Sequence, residues 1–118
     1  MESWKNVTNT FSEKRRHYMN TYLEICEVYD EAVEVSVFSS ESQPYEIYVS
    51  YGRMYGVIYS NAEDAYAKLE EIKKVLEKEY KENKEPTDEF IETFAEKYQL
   101  ELPQDIILIH LHYLICFN

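Results

Sequence analysis

Two alternating runs, residues 45–51 and 54–59, flank the pair Gly52-Arg53, and that hinge constrains the fold more than any other feature of the sequence. Glycine at the first central position supplies the positive φ that a type II′ turn needs, so the spacing predicts a tight β-hairpin. A two-residue loop also sets the register: Val49 faces Gly56, Ile47 faces Ile58, Tyr48 faces Val57 and Ser50 faces Tyr55. Because side chains alternate along a strand, the hairpin has two unlike faces. One carries Tyr45, Ile47, Val49, Tyr51, Met54 and Ile58 and is expected to face the core. The other carries Tyr48, Tyr55, Val57 and Tyr59 with Glu46 and Ser50.

Elements on either side must bury the first of these faces. Upstream, residues 33–37 (Val-Glu-Val-Ser-Val) alternate with β-branched residues at every inward position, which predicts a half-buried strand. Before it, apolar residues from Trp4 through Val7, Phe11, Tyr18, Tyr22 and Cys26 to Tyr29 recur at three- and four-residue steps behind Ser3. That spacing predicts a helix of about seven turns, although Leu23, Ile25 and Val28 would also suit the start of a strand. Downstream, Asn61 is a candidate N-cap, and Ala62, Ala65, Tyr66, Leu69, Ile72, Leu76 and Tyr80 form one helical stripe. The opposite face of that helix sets Asp64 four residues before Lys68, Glu70 before Lys74 and Glu77 before Lys81. Pro86 and Thr87 end it and open a short helix whose inward positions are Phe90, Ile91, Phe94 and Tyr98.

Residues 106–117 are apolar on both parities, so periodicity alone does not separate a buried helix from a strand. Their four isoleucines favour a central strand. The expected order is α-β-β-β-α-α-β: an α+β two-layer sandwich with a small, mainly antiparallel sheet and the last strand beside the first or second. With 118 residues and no internal repeat, the whole of 1–118 reads as a single compact domain, long enough to bury roughly two thirds of its surface without disulfides or a structural metal.

Composition narrows the function. The net charge is −11, yet it is unevenly spread. Residues 1–18 are slightly basic through Lys5, Lys14, Arg15 and Arg16, so the rest of the chain carries −13. One acid-only block holds Glu24, Glu27, Asp30, Glu31, Glu34, Glu41 and Glu46. A second runs from Glu85 through Asp88, Glu89, Glu92 and Glu96 to Glu101 and Asp105, with Lys97 its one base. Such a surface repels free DNA or RNA and excludes direct nucleic-acid binding. The first residues lack the apolar run of a signal peptide, and residues 106–117 fall short of the roughly 20 needed to span a bilayer, so no membrane association is expected. Cys26 and Cys116 lie 90 positions apart in apolar surroundings, which fits buried thiols in a reducing cytoplasm.

Reactive chemistry finds little footing. His110, His112 and Cys116 share a parity if their segment is a strand, but a metal needs three or four converging donors, and the remainder would have to come from an unlinked residue such as His17. No phosphate loop, nucleophile elbow or HExxH helix is present, so neither an enzyme nor a cofactor or metal site is expected. Carboxylates among tyrosines suit a basic protein partner, because acids steer the encounter and phenol rings supply rigid contact area. The expected partner-binding set is Glu27, Asp30, Glu31, Glu34, Glu46, Tyr48, Tyr55, Tyr59, Asp88, Glu89, Glu92 and Glu96. The expected role is a small acidic binding module that neutralises a nuclease-like or other nucleic-acid-binding protein, the charge and size of small immunity proteins, antitoxins and phage-encoded inhibitors. The alternative is a homodimeric structural or regulatory module without catalytic activity, in which the Lys14–Arg16 cluster docks onto a second copy's acids.

Overall fold

The computed structural model describes residues 3–9, 22–40 and 45–102. Among these residues five strands form one antiparallel sheet in chain order: β1 (Trp4–Asn6), β2 (Tyr22–Tyr29), β3 (Val33–Ser39), β4 (Glu46–Tyr51) and β5 (Met54–Tyr59). Two helices follow, α1 (Ala65–Asn83) and α2 (Asp88–Tyr98). The class is α+β as expected, but the chain does not open on the expected helix: Trp4–Asn6 and Tyr22–Tyr29, both read into it, are strands, while Thr8 and Asn9 are helical and residues 10–21 lie outside the described residues. The predicted strand over 106–117 lies outside the described residues.

The hairpin forms as its turn dictates. Gly52 has φ +57° while Arg53 has no positive φ, the type II′ signature, and Ile47 pairs with Ile58, Tyr48 with Val57 and Val49 with Gly56. Rows of residues then run across the sheet on one face: Ile25, Val37, Ile47 and Ile58 in one, and Trp4, Tyr29, Val33, Tyr51 and Met54 in another. Ala65, Leu69, Ile72 and Leu76 of α1, with Phe94 and Tyr98 of α2, close over those rows as the core. On the opposite face the middle row of Cys26, Ser36 and Val57 is buried, while Tyr55 and Tyr59 stay exposed.

The strand β2 was misread for a physical reason. A bulge between Leu23 and Ile25 sets these two residues against Phe38 and Val37, on opposite faces, so no single two-residue period runs through the strand. Tyr22, Cys26 and Tyr29 then fall at helical steps by coincidence, while tyrosine, isoleucine and valine content favours the extended chain.

The two helices start differently: α1 has Asp64 at its N-cap with no side-chain cap, and α2 starts on a capping side chain. Asn61 Oδ1 accepts the backbone N–H groups of Glu63 and Asp64, each at 3.0 Å, forming a turn that leads into α1 at Ala65 rather than starting the helix itself. Ala62 therefore lies outside the stripe, and Tyr66 is exposed. At α2, Thr87 Oγ1 accepts from the Phe90 N–H at 3.1 Å, with Asp88 and Glu89 at the positive end of the dipole.

One charged pair lies between sheet and helix. Lys73 Nζ of α1 donates to Glu27 Oε1 of β2 at 2.9 Å, and both side chains are nearly withdrawn from solvent. The ammonium also sits 5.5 Å from the Trp4 ring centroid, and Trp4 Nε1–H donates to Glu77 at 3.1 Å, so β1, β2 and α1 share one network. Burial acts to lower the Lys73 pKa, but the bonds to Glu27 and Glu70 outweigh it and raise it on balance. Removing one partner strands the other. Glu27→Gln and Lys73→Met are each expected to cost about 3 kcal/mol in urea unfolding, and the double variant to recover much of that loss.

Candidate partner-binding surface

The sheet places the expected residues in three settings. At one end the β2–β3 and β4–β5 turns lie side by side, because Val33 pairs with Tyr51. There Asp30 and Glu31 occupy consecutive left-handed positions, φ 51° and 55°, the conformation of a type I′ turn, closed by Ala32 N–H donating to Tyr29 O at 3.0 Å. Asp30 is held by the Tyr80 hydroxyl and Asp88 by Arg53, so these two acids are tied into the fold while Glu31 projects. From that end α2 carries Glu89, Glu92 and Glu96 outward to the far end of the molecule, all exposed.

At the far end the row Phe38, Glu46 and Tyr59 crosses the outward face. Tyr48 O–H donates to Glu46 Oε2 at 3.3 Å, and Tyr48 packs edge-on against Phe38, ring centroids 5.0 Å apart. Tyr59 is 43% exposed and lies between the charges of Glu46 and Glu101, which add to burial in raising its pKa and keep its hydroxyl protonated. The Glu46 carboxyl is itself pushed above the usual carboxylate range, chiefly by burial, with the Tyr48 hydrogen bond acting the other way. No cation among the described residues compensates it.

The third setting is internal. Glu27 is committed to Lys73, and Glu34 is 6% exposed on the outward face. Tyr55 is exposed at the opposite end of β5 from Tyr59, across from Ser50. The structure thus gathers Glu46, Tyr48 and Tyr59 in one patch and sets Asp30, Glu31, Asp88 and Glu89 at the other end, with Glu92 and Glu96 between.

Sequence reasoning missed Glu101. Its backbone pairs with Val57 on the free edge of β5, Val57 N–H donating to Glu101 O at 2.7 Å and Glu101 N–H to Val57 O at 2.9 Å. Nothing local in the sequence marks that long-range pair. It carries the chain past Tyr59 and closes a cleft of about 500 Å³ between β5, the first half of α1 and the end of α2. Within that wall the Tyr98 hydroxyl donates to Glu71 at 2.8 Å, and Lys97 reaches Glu71 at 3.4 Å while lying over the Tyr98 ring. These bonds hold the Glu71 carboxyl below its usual range, the Tyr98 hydrogen bond most of all.

Among the described residues no group of three or more His, Cys, Asp or Glu is placed to hold a metal, and no helix is long and apolar enough to cross a membrane. His17, His110, His112 and Cys116 lie outside the described residues. Among known proteins, no family model, no curated protein and no solved structure matches the chain.

Two outcomes follow from this geometry. A carboxyl whose folded pKa is raised stabilises the fold only while protonated, below its unfolded pKa of about 4.3, and loses that contribution as pH rises through the folded value. Glu46→Gln is therefore expected to melt higher than the parent at neutral pH and level with it below about pH 4, read from thermal unfolding at both. Gly56→Ala would bring a Cβ to 2.5 Å from the Glu101 carbonyl and 3.0 Å from Leu100. Backbone cannot yield there, so the Val57–Glu101 pair is expected to break at a cost of about 1–3 kcal/mol, with loss of hydrogen-exchange protection at the Val57 amide.

Proposed function

We propose that this chain is a protein-binding module that engages a basic protein surface, of the kind that holds nucleic acid, and neutralises it by occupancy rather than catalysis. The observation that carries this reading is Glu46: a half-buried carboxylate with no compensating cation among the described residues, its charge opposed by burial, beside the exposed Tyr59 ring. A guanidinium or ammonium from a partner would supply the missing charge, and the phenol ring its rigid contact.

The acids of α2 support the same reading. Glu89, Glu92 and Glu96 span about 10 Å along one face of the helix at ~1.5 Å per residue. That track runs from the Asp30–Glu31 turn towards the Glu46 and Tyr59 patch, steering a basic partner onto its anchor.

Two sets of variants separate steering from anchoring, using the basic protein retained from the native lysate at low ionic strength. Glu89→Lys, Glu92→Lys and Glu96→Lys together are expected to slow association at least tenfold and flatten its salt dependence, on the order seen for steered complexes. Tyr59→Ala is expected to weaken binding by about 2 kcal/mol, mainly through faster dissociation. Retention of no basic protein, or retention indifferent to both sets, would overturn the proposal.

A further inference from the structure

The cleft beside Tyr59 has an internal balance that leaves particular groups over. Glu71, Lys97 and Tyr98 satisfy one another. The remaining polar groups on its walls are differently placed. Among the described residues the Lys68 ammonium, the Glu101 carboxylate, the Gln99 amide and the Tyr59 hydroxyl make no hydrogen bond or ion pair, and Asp64 is met only by the Asn61 amide at 3.3 Å. One cation, two carboxylates, a neutral amide and an aromatic ring therefore face a space whose volume lies within the range of small-ligand sites, about 300–1,000 Å³.

We infer that this cleft is a binding site for a zwitterion carrying an additional basic group, of the arginine class, either as the free amino acid or as the C-terminal residue of a chain. Its α-carboxylate pairs with Lys68. Its planar guanidinium lies on the Tyr59 ring and takes the Asp64 and Glu101 carboxylates, an arrangement suited to the fork of donors that lysine lacks. Gln99, at a left-handed turn with φ 55°, offers its amide to the α-substituent. A purely cationic ligand is repelled by Lys68, whose charge the nearby Glu71 offsets in part, and a purely anionic one by Asp64 and Glu101.

This inference shares the Tyr59 ring with the basic-partner reading but not Lys68, Asp64 or Gln99, and its test uses small probes alone. The ¹⁵N-labelled full chain is titrated with L-arginine, Nα-acetyl-L-arginine and agmatine, which is arginine without its carboxylate. Arginine or its acetyl derivative is expected to shift the amides of Ala67, Lys68 and Gln99 saturably, with agmatine about tenfold weaker or more. A preference for the free amino acid assigns the site to a metabolite, and a preference for the acetylated form assigns it to a chain end.

Lys68→Ala is expected to erase the difference between arginine and agmatine, and Glu101→Gln to weaken every probe. Neither side chain is buried, so an otherwise unchanged spectrum shows each variant folded. Absence of saturable shifts at millimolar probe, equal affinity for agmatine and arginine, or a Lys68→Ala variant that still discriminates between them would overturn the assignment. Failure here leaves retention of a basic protein untouched, and the converse holds too.

Discussion

The hydroxyl of Tyr51 ties the sheet to both helices of this fold. It donates to the Lys84 carbonyl at 2.7 Å, where α1 has ended and the chain turns through a left-handed residue towards α2. The ring beneath it packs edge-on against Tyr80 of α1 and Phe90 of α2, at 6.3 and 6.4 Å between centroids. One side chain at the end of β4 thus orients both helices over the sheet. Burial, then the Glu79 and Glu85 charges, push its pKa up to about 12, so it remains a donor across the physiological range. The same turn is fixed from beneath by Glu79, whose carboxylate accepts from the Thr87 N–H at 3.0 Å and from Asn83 at 3.1 Å. A buried carboxylate with two donors organises a tight turn here without needing a cation.

That anchoring explains which parts of the fold were legible in the sequence. The hairpin could be read because one glycine fixed its turn and the turn fixed its register. The helices could be read because a stripe of apolar residues runs along each, behind the Asn61 turn in α1 and the Thr87 cap in α2. The strand β2 could not, because its bulge broke the period on which such a reading depends, and β1 has three residues, too few for any period. Trp4 looked like the start of a helix face; it is instead the edge of the sheet, held by Tyr29 at 5.4 Å and by Glu77 of α1. Contacts from Trp4 to Glu77 and from Glu27 to Lys73 join residues far apart in the chain, and neither leaves a local mark.

The candidate site divides along the same line. Glu46, Tyr48 and Tyr59 were placed on one face by hairpin register alone, and they do meet. Glu101 and the cleft it closes depend on a single bridge between residues 57 and 101, beyond the reach of local pattern.

Acidity turns out to be several different things in this molecule. Glu27 and Glu79 are structural, each charge met by donors within the fold. Asp30 and Asp88 are tethered at one end by Tyr80 and Arg53, their charge partly spent on holding turns and helix starts in place. Glu89, Glu92 and Glu96 are solvated, and such acids cost the fold little and can be present for solubility alone. Glu46 differs from all of these. Burial opposes its charge, and among the described residues a neutral hydroxyl alone offsets that opposition. A net charge of −11 is by itself weak evidence for a partner. A half-buried carboxylate beside an exposed aromatic ring supports the proposed partner better, because burial opposes its charge and a bound cation would offset that opposition.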